Sequence, residues 1–135
     1  MSLFLDTSFL YALEDSSDQH HQEAIGLWQK ILKNPPQLIL TSYIFDEITT
    51  LLQSKLGHAK ATEAGNRLLQ SALVEILHVT SELFQEAWAY FNKHKDKGYS
   101  FTDCVSFAAM NQRSIKNALS FDKHFRQAGF KISSF

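Results

Sequence analysis

Short apolar runs alternate with longer stretches of helical periodicity along this chain. Residues 2–5, 38–40, 73–78, 117–120 and 130–132 read as strands, with cores such as Leu3-Phe4-Leu5 and Leu38-Ile39-Leu40. Buried parallel strands are written as continuous apolar runs of this kind. The intervening segments place apolar residues three and four apart, which predicts helices. They cover 7–14, a helix capped by Asp18 and running to Lys33, one to Leu56 capped by Thr41 or Ser42, then 59–72, 81–94, about 101–112 and 122–128. Ala24, Ile25, Leu27, Trp28, Ile31 and Leu32 form the inner face of the second helix, and Pro35 and Pro36 stop it. Gly57 ends the third. Strands alternating with helices predict parallel βαβ units, hence an α/β fold.

Composition narrows the class. The 135 residues read as one domain, 1–135, with 44% hydrophobic and 20% charged residues. A single cysteine, Cys104, excludes an internal disulfide framework and fits a cytoplasmic setting. The N-terminus meets an acid at residue 6 without a basic segment, unlike a signal peptide, and no apolar run approaches the ~20 residues of a membrane helix. The net charge of −1 is unevenly spread. Residues 1–89 hold 5 Lys/Arg against 11 Asp/Glu, whereas residues 90–135 hold 8 against 3. That asymmetry predicts a basic face drawn from Lys93, Lys95, Lys97, Arg113, Lys116, Lys123, Arg126 and Lys131, or else solvated loops and helix ends.

Four acids carry the candidate chemistry. Asp6 and Asp122 directly follow apolar runs; Glu47 and Asp103 stand near the starts of predicted helices. In a doubly wound fold, strand C-termini and the following helix N-termini share the rim where ligands bind. Two carboxylates ~4 Å apart at an effective dielectric of ~20 repel by roughly 4 kcal/mol. Four together are tolerable mainly around a divalent cation, and oxygen ligands suit Mg²⁺ or Mn²⁺. Each acid also has a plain reading. Asp6 and Asp122 can cap the short helices that follow them, Ser100 to Asp103 has the spacing of a capping box, and Glu47 can be a boundary glutamate beside a solvated Asp46.

Other residues offer less. The six histidines lack metal-ligand spacing: His20 and His21 read as exposed first-turn residues, and His124, beside Lys123, as a surface residue or, less favoured, one that touches a phosphate. Cys104 reads as core, as do Trp28, Trp88 and the eleven Phe. No glycine-rich phosphate loop is present.

The ordered motifs resemble those of the PIN-domain family. Phe4-Leu5-Asp6-Thr7-Ser8 is similar to its opening motif, followed by His21-x-x-Ala24; Thr41-Ser42-Tyr43 leading to Glu47 is similar to the second, and Ser100 to Cys104 to the third. Leu119 to Phe125 with Gly129-Phe130 resembles the fourth. The size and the lack of further domains are similar to VapC-type toxins of toxin–antitoxin pairs. The resemblance implies a three-layer α/β/α sandwich around a parallel sheet of about five strands. It implies an Mg²⁺- or Mn²⁺-dependent ribonuclease, a homodimer, with RNA as substrate and a small antitoxin protein as partner. Asp6, Glu47, Asp103 and Asp122 become the catalytic acids, with Asp6 and Asp103 as the principal metal ligands and Glu47 and Asp122 completing the cage directly or through water. Ser120 and Lys123 are the substrate-side candidates. Ser120 replaces a frequent threonine within reach of a site carboxylate, and Lys123 follows a site acid.

Rival readings remain open on the sequence. A phosphotransferase wants a second Asp two residues after the first, where Ser8 stands; a response regulator wants a paired acid and a late lysine. A PIN nuclease of ordinary RNA processing and a non-catalytic binding module share the expected fold.

Overall fold

A computed structural model describes residues 1–132 of the chain. Five strands, β1 (Ser2–Leu5), β2 (Gln37–Thr41), β3 (Val74–Leu77), β4 (Asn117–Leu119) and β5 (Lys131–Ile132), form one sheet in the order β3-β2-β1-β4-β5. Every pairing is parallel, with Leu5 opposite Leu119 and Phe4 opposite Ile39. The helices are α1 (Thr7–Glu14), α2 (His21–Lys33), α3 (Ser42–Leu56), α4 (His58–Gln70), α5 (Ser81–Lys93), α6 (Phe101–Gln112) and α7 (Lys123–Gln127). Right-handed crossovers put α1 to α4 on one face and α5 to α7 on the other. The packing agrees: α1 meets α2 and α3, α3 meets α4, and α6 lies between α5 and α7. This is the expected α/β/α sandwich.

The apolar runs are buried as predicted: Leu3, Phe4, Leu5, Leu38 and Leu40 are fully inaccessible. Helix α6 is buried along Asp103 to Met110, which makes it the central helix of its layer. Cys104 lies there, and burial pushes its thiol up to about 11, so it belongs to the core. Thr41 caps α3 by accepting from the Ile44 N–H at 3.1 Å, and Gly57, with φ of 98°, takes the left-handed turn between α3 and α4.

Several expectations need correction. Helix α2 starts at His21 behind His20, because the Asp18 carboxylate accepts from the nearby His20 N–H at 3.0 Å and closes a local turn instead of capping. His20 and His21 are half-buried: His20 stacks on Phe121 at 4.3 Å and His21 Nδ1 meets the Ala12 carbonyl at 2.7 Å. Leu32 is exposed, not inner. Trp88 and Phe84 are 47% and 39% exposed, so the aromatic set is only partly core. The basic residues do not form one face. Arg113 is paired with Glu75 of β3 at 2.9 Å, while Lys116 and Lys131 stand at the starts of β4 and β5, away from the strand C-termini.

Candidate active site

The chain leaves β1 toward β2 on one side and returns much later to β4 on the other. That reversal opens a crevice at the strand C-termini, where ligands bind in such sheets. Asp6 is the first residue past β1, and its backbone N–H donates to the Leu119 carbonyl at 3.1 Å. Pairing of β1 with β4 therefore sets Asp6 beside Ser120 and Asp122. Helix α3 brings Glu47 and α6 brings Asp103 to the same rim. Asp6, Thr7, Ser8, Glu47, Gly98, Ser100, Asp103, Asp122 and His124 line one cleft.

A hydroxyl network fixes Asp6. Ser8 and Ser120 both donate to its Oδ2 at 2.7 Å. The same two hydroxyls accept from the backbone: Ser8 from the Phe121 N–H and Ser120 from the Asp122 N–H, each at 2.9 Å. Neither bond uses Asp6 Oδ1. Burial lifts the Asp6 carboxyl to about 6, the two hydroxyls oppose that rise, and the charges of Asp103 and Asp122 add to it. The Asp6 side chain makes no cap to α1, so its capping reading fails.

Capping holds for the other two aspartates. Asp103 and Ser100 form a reciprocal capping box at 3.0 and 3.1 Å. Asp122 Oδ1 accepts from the His124 N–H at 2.9 Å. A carboxylate offers two oxygens and about four lone-pair directions, so a cap leaves room for a cation. Burial raises the Asp103 carboxyl; the Ser100 N–H lowers it, Asp122 raises it and His124 lowers it again. Glu47 is exposed on the flank of α3, where its Oε1 accepts from the Thr7 hydroxyl.

The structure adds residues that sequence reasoning left aside. Thr7 and Ser8 orient acids, and His124 points into the cleft. Asp103, Asp122 and His124 offer donor atoms that all lie within 4.8 Å of one another; Asp6 and Glu47 line the same cleft outside that group. This oxygen-rich donor set fits a hard divalent cation. Lys123 is exposed at the start of α7 and does not line the cleft.

A reversed parallel sheet with acids gathered at its switch point defines a class of protein, and the chain belongs to the PIN-domain family, whose model matches residues 3–131. Its relatives are specific. It is 38% identical over 128 residues, 95% of both chains, to the 23S rRNA-specific endonuclease VapC20 of Mycobacterium tuberculosis strains CDC 1551 / Oshkosh and H37Rv. The crystal structure of that VapC20, described as a sarcin–ricin loop cleaving toxin, matches with a TM-score of 0.87 at 37% identity over 95% of each chain. VapBC2 of Rickettsia felis, bound to a DNA fragment from its promoter, matches with a TM-score of 0.71 at 11% identity, covering 98% of this chain and 97% of its own. FitAcB of Neisseria gonorrhoeae gives 0.67 at 19%, covering 98% and 96%. At those two identities the likeness is one of fold. No helix among the described residues is long and apolar enough to cross a membrane.

Proposed function

We propose that this protein is a metal-dependent ribonuclease that hydrolyses RNA phosphodiester bonds in the cytoplasm, as the toxin of a type II toxin–antitoxin pair. The observation that carries this reading is the convergence of Asp6, Glu47, Asp103 and Asp122 from four separate elements on one cleft. Those acids are the residues that would hold Mg²⁺ or Mn²⁺. An ion held by them would supply an acidified water and charge neutralisation at the phosphate, and hydrolysis would need no side-chain nucleophile. Ser8 and Ser120 hold Asp6 by one oxygen, and the other has no hydrogen-bond partner among the described residues. Thr7 steadies Glu47, and the caps on Asp103 and Asp122 fix their carboxylates to helix ends.

The relationship to VapC20 supports a structured ribosomal RNA loop as substrate. Gly98 lines the cleft, so Lys95 and Lys97 approach it along the chain, and exposed Lys123 and Arg126 flank it on α7. In this reading these cations attract the RNA backbone by charge, without regard to its sequence. The antitoxin would insert an apolar segment into the hollow between α1, α2, α3 and α4, which Leu10, Leu13, Ile25, Trp28 and Leu68 line. The exposed ridge of Phe84 and Trp88, packed on Phe101, supports pairing with a second copy.

The test is cleavage of a 23S rRNA loop fragment by the purified chain with Mn²⁺ or Mg²⁺. Cutting that chelator abolishes is expected. An intact, cation-bound protein that leaves every RNA uncut overturns the reading and leaves a binding module. Slowed growth on expression, relieved by the product of the neighbouring gene, separates a toxin from a processing nuclease.

A further inference from the structure

We propose that His124 is a further ligand of the cation in this cleft, and that its ring nitrogen tilts the site toward Mn²⁺ over Mg²⁺. The inference rests on the metal-dependent reading above and adds a nitrogen donor to its four acids.

His124 Nδ1 stands 3.3 Å from Asp103 Oδ2 and 3.2 Å from Asp122 Oδ1. Neither approach has the alignment of a hydrogen bond, and among the described residues Nδ1 is buried without a hydrogen-bond partner. Buried polar atoms are nearly always satisfied, so an orphan aimed among carboxylates marks the place of something that satisfies it. The spacing says what. Donors about 2.1 Å from one octahedral ion, on adjacent corners, stand about 3.0 Å apart. Both contacts are close to that separation.

His124 is held at its backbone and at its ring. Its backbone N–H is tied to Asp122 Oδ1 at 2.9 Å, which fixes the first turn of α7. Tyr99, itself 6% exposed, meets the imidazole edge-to-face at 5.4 Å and 87°. Mg²⁺ prefers oxygen and gives up its waters reluctantly, whereas imidazole suits transition metals. An imidazole Nδ1 in the cleft therefore discriminates between the two ions. The competing role is a protonated His124 that neutralises Asp103 and Asp122 and never touches the ion.

Pulsed electron paramagnetic resonance on the full chain with one equivalent of Mn²⁺ separates the two roles. A ligand gives ¹⁴N modulation that changes with ¹⁵N-histidine labelling and vanishes in His124→Gln. Titration is the second readout: His124→Gln weakens Mn²⁺ binding about tenfold and leaves Mg²⁺ binding within about twofold. His124→Asn serves if the Gln variant does not fold, and the labelled native spectrum needs neither. Bound Mn²⁺ without histidine coupling overturns the ligand role, as does equal weakening of both ions. Failure of the native chain to bind Mn²⁺ at all overturns the metal-dependent reading along with it.

Discussion

Ser120 donates its hydroxyl to Asp6 Oδ2 at 2.7 Å, across 114 positions of sequence. The residue after β4 thus orients the acid after β1, and Ser120 Oγ itself accepts from the Asp122 N–H at 2.9 Å. One side chain ties the Asp6 carboxylate to the backbone of Asp122. Ser120→Ala leaves a buried carboxylate oxygen one donor short and strands a backbone N–H. The expected cost is about 1–3 kcal/mol in urea unfolding. RNA cleavage falls further than that loss of stability explains, and an unchanged rate in the folded variant removes Ser120 from the site.

The Asp6 carboxyl makes stability depend on pH. Burial raises it from 3.8 to about 6. Below the lower value both folded and unfolded chains hold the proton. Between the two values only the folded chain does. The cation-free protein therefore loses stability as pH rises from about 4 to about 6, by on the order of 3 kcal/mol at full extent. Burial raises Asp103 too, which acts in the same direction. Melting temperatures in chelator across this range should fall for the native chain and stay flatter for Asp6→Asn; parallel curves contradict the assignment.

Asp103 serves both a cap and the cleft, and two substitutions separate these roles. Asn keeps an acceptor for the Ser100 N–H and loses the charge. Asp103→Asn should match or slightly exceed native stability without cation, and should no longer cut RNA. Asp103→Ala loses the cap as well and should be about 1 kcal/mol less stable than the Asn variant. Cleavage by Asp103→Asn at the native rate leaves only the cap.

Lys123 is exposed on the residue after Asp122. If it meets a phosphate, Lys123→Ala should weaken all single-stranded RNAs alike and reduce the salt slope of binding by about 0.7. Binding measured against salt in Ca²⁺, which suppresses cutting, checks this. Identical slopes place Lys123 off the RNA path.

Trp88 is 47% exposed beside Phe91, Phe101 and Phe84. Should this ridge join two copies, Trp88→Glu converts a dimer to a monomer in light scattering. A dimer that persists in Trp88→Glu directs attention to another face.

Much of the fold was legible because its strands are written as unbroken apolar runs and its helices carry clear caps. Thr41, Ser100 and Gly57 mark boundaries by chemistry alone. Asp18 misled because an Asp ahead of a helix can close a turn as readily as cap, and only the geometry chooses. The four acids were legible because the topology of an alternating chain gathers strand ends on one rim. His124 was not. It lies on a helix of five residues, too short for periodicity to say which way it faces, between the cations Lys123 and Arg126. Its neighbour Asp103 comes from another element. The one sequence signal was its place two residues after a site acid and just before a fully buried Phe125. Trp88 and Phe84 fit a helical stripe, but a stripe does not tell whether the surface it meets is this chain or another.

The pairing of β1 with β4 also has a consequence in time. A growing chain that has emerged from the ribosome through residue 100 carries Asp6 and Glu47 but neither Asp103 nor Asp122. Ser120, which orients Asp6, emerges later still, after Asp103. The cleft thus cannot assemble until residue 122 has left the ribosome, so a shorter nascent chain carries Asp6 and Glu47 without the carboxylates that complete their cluster.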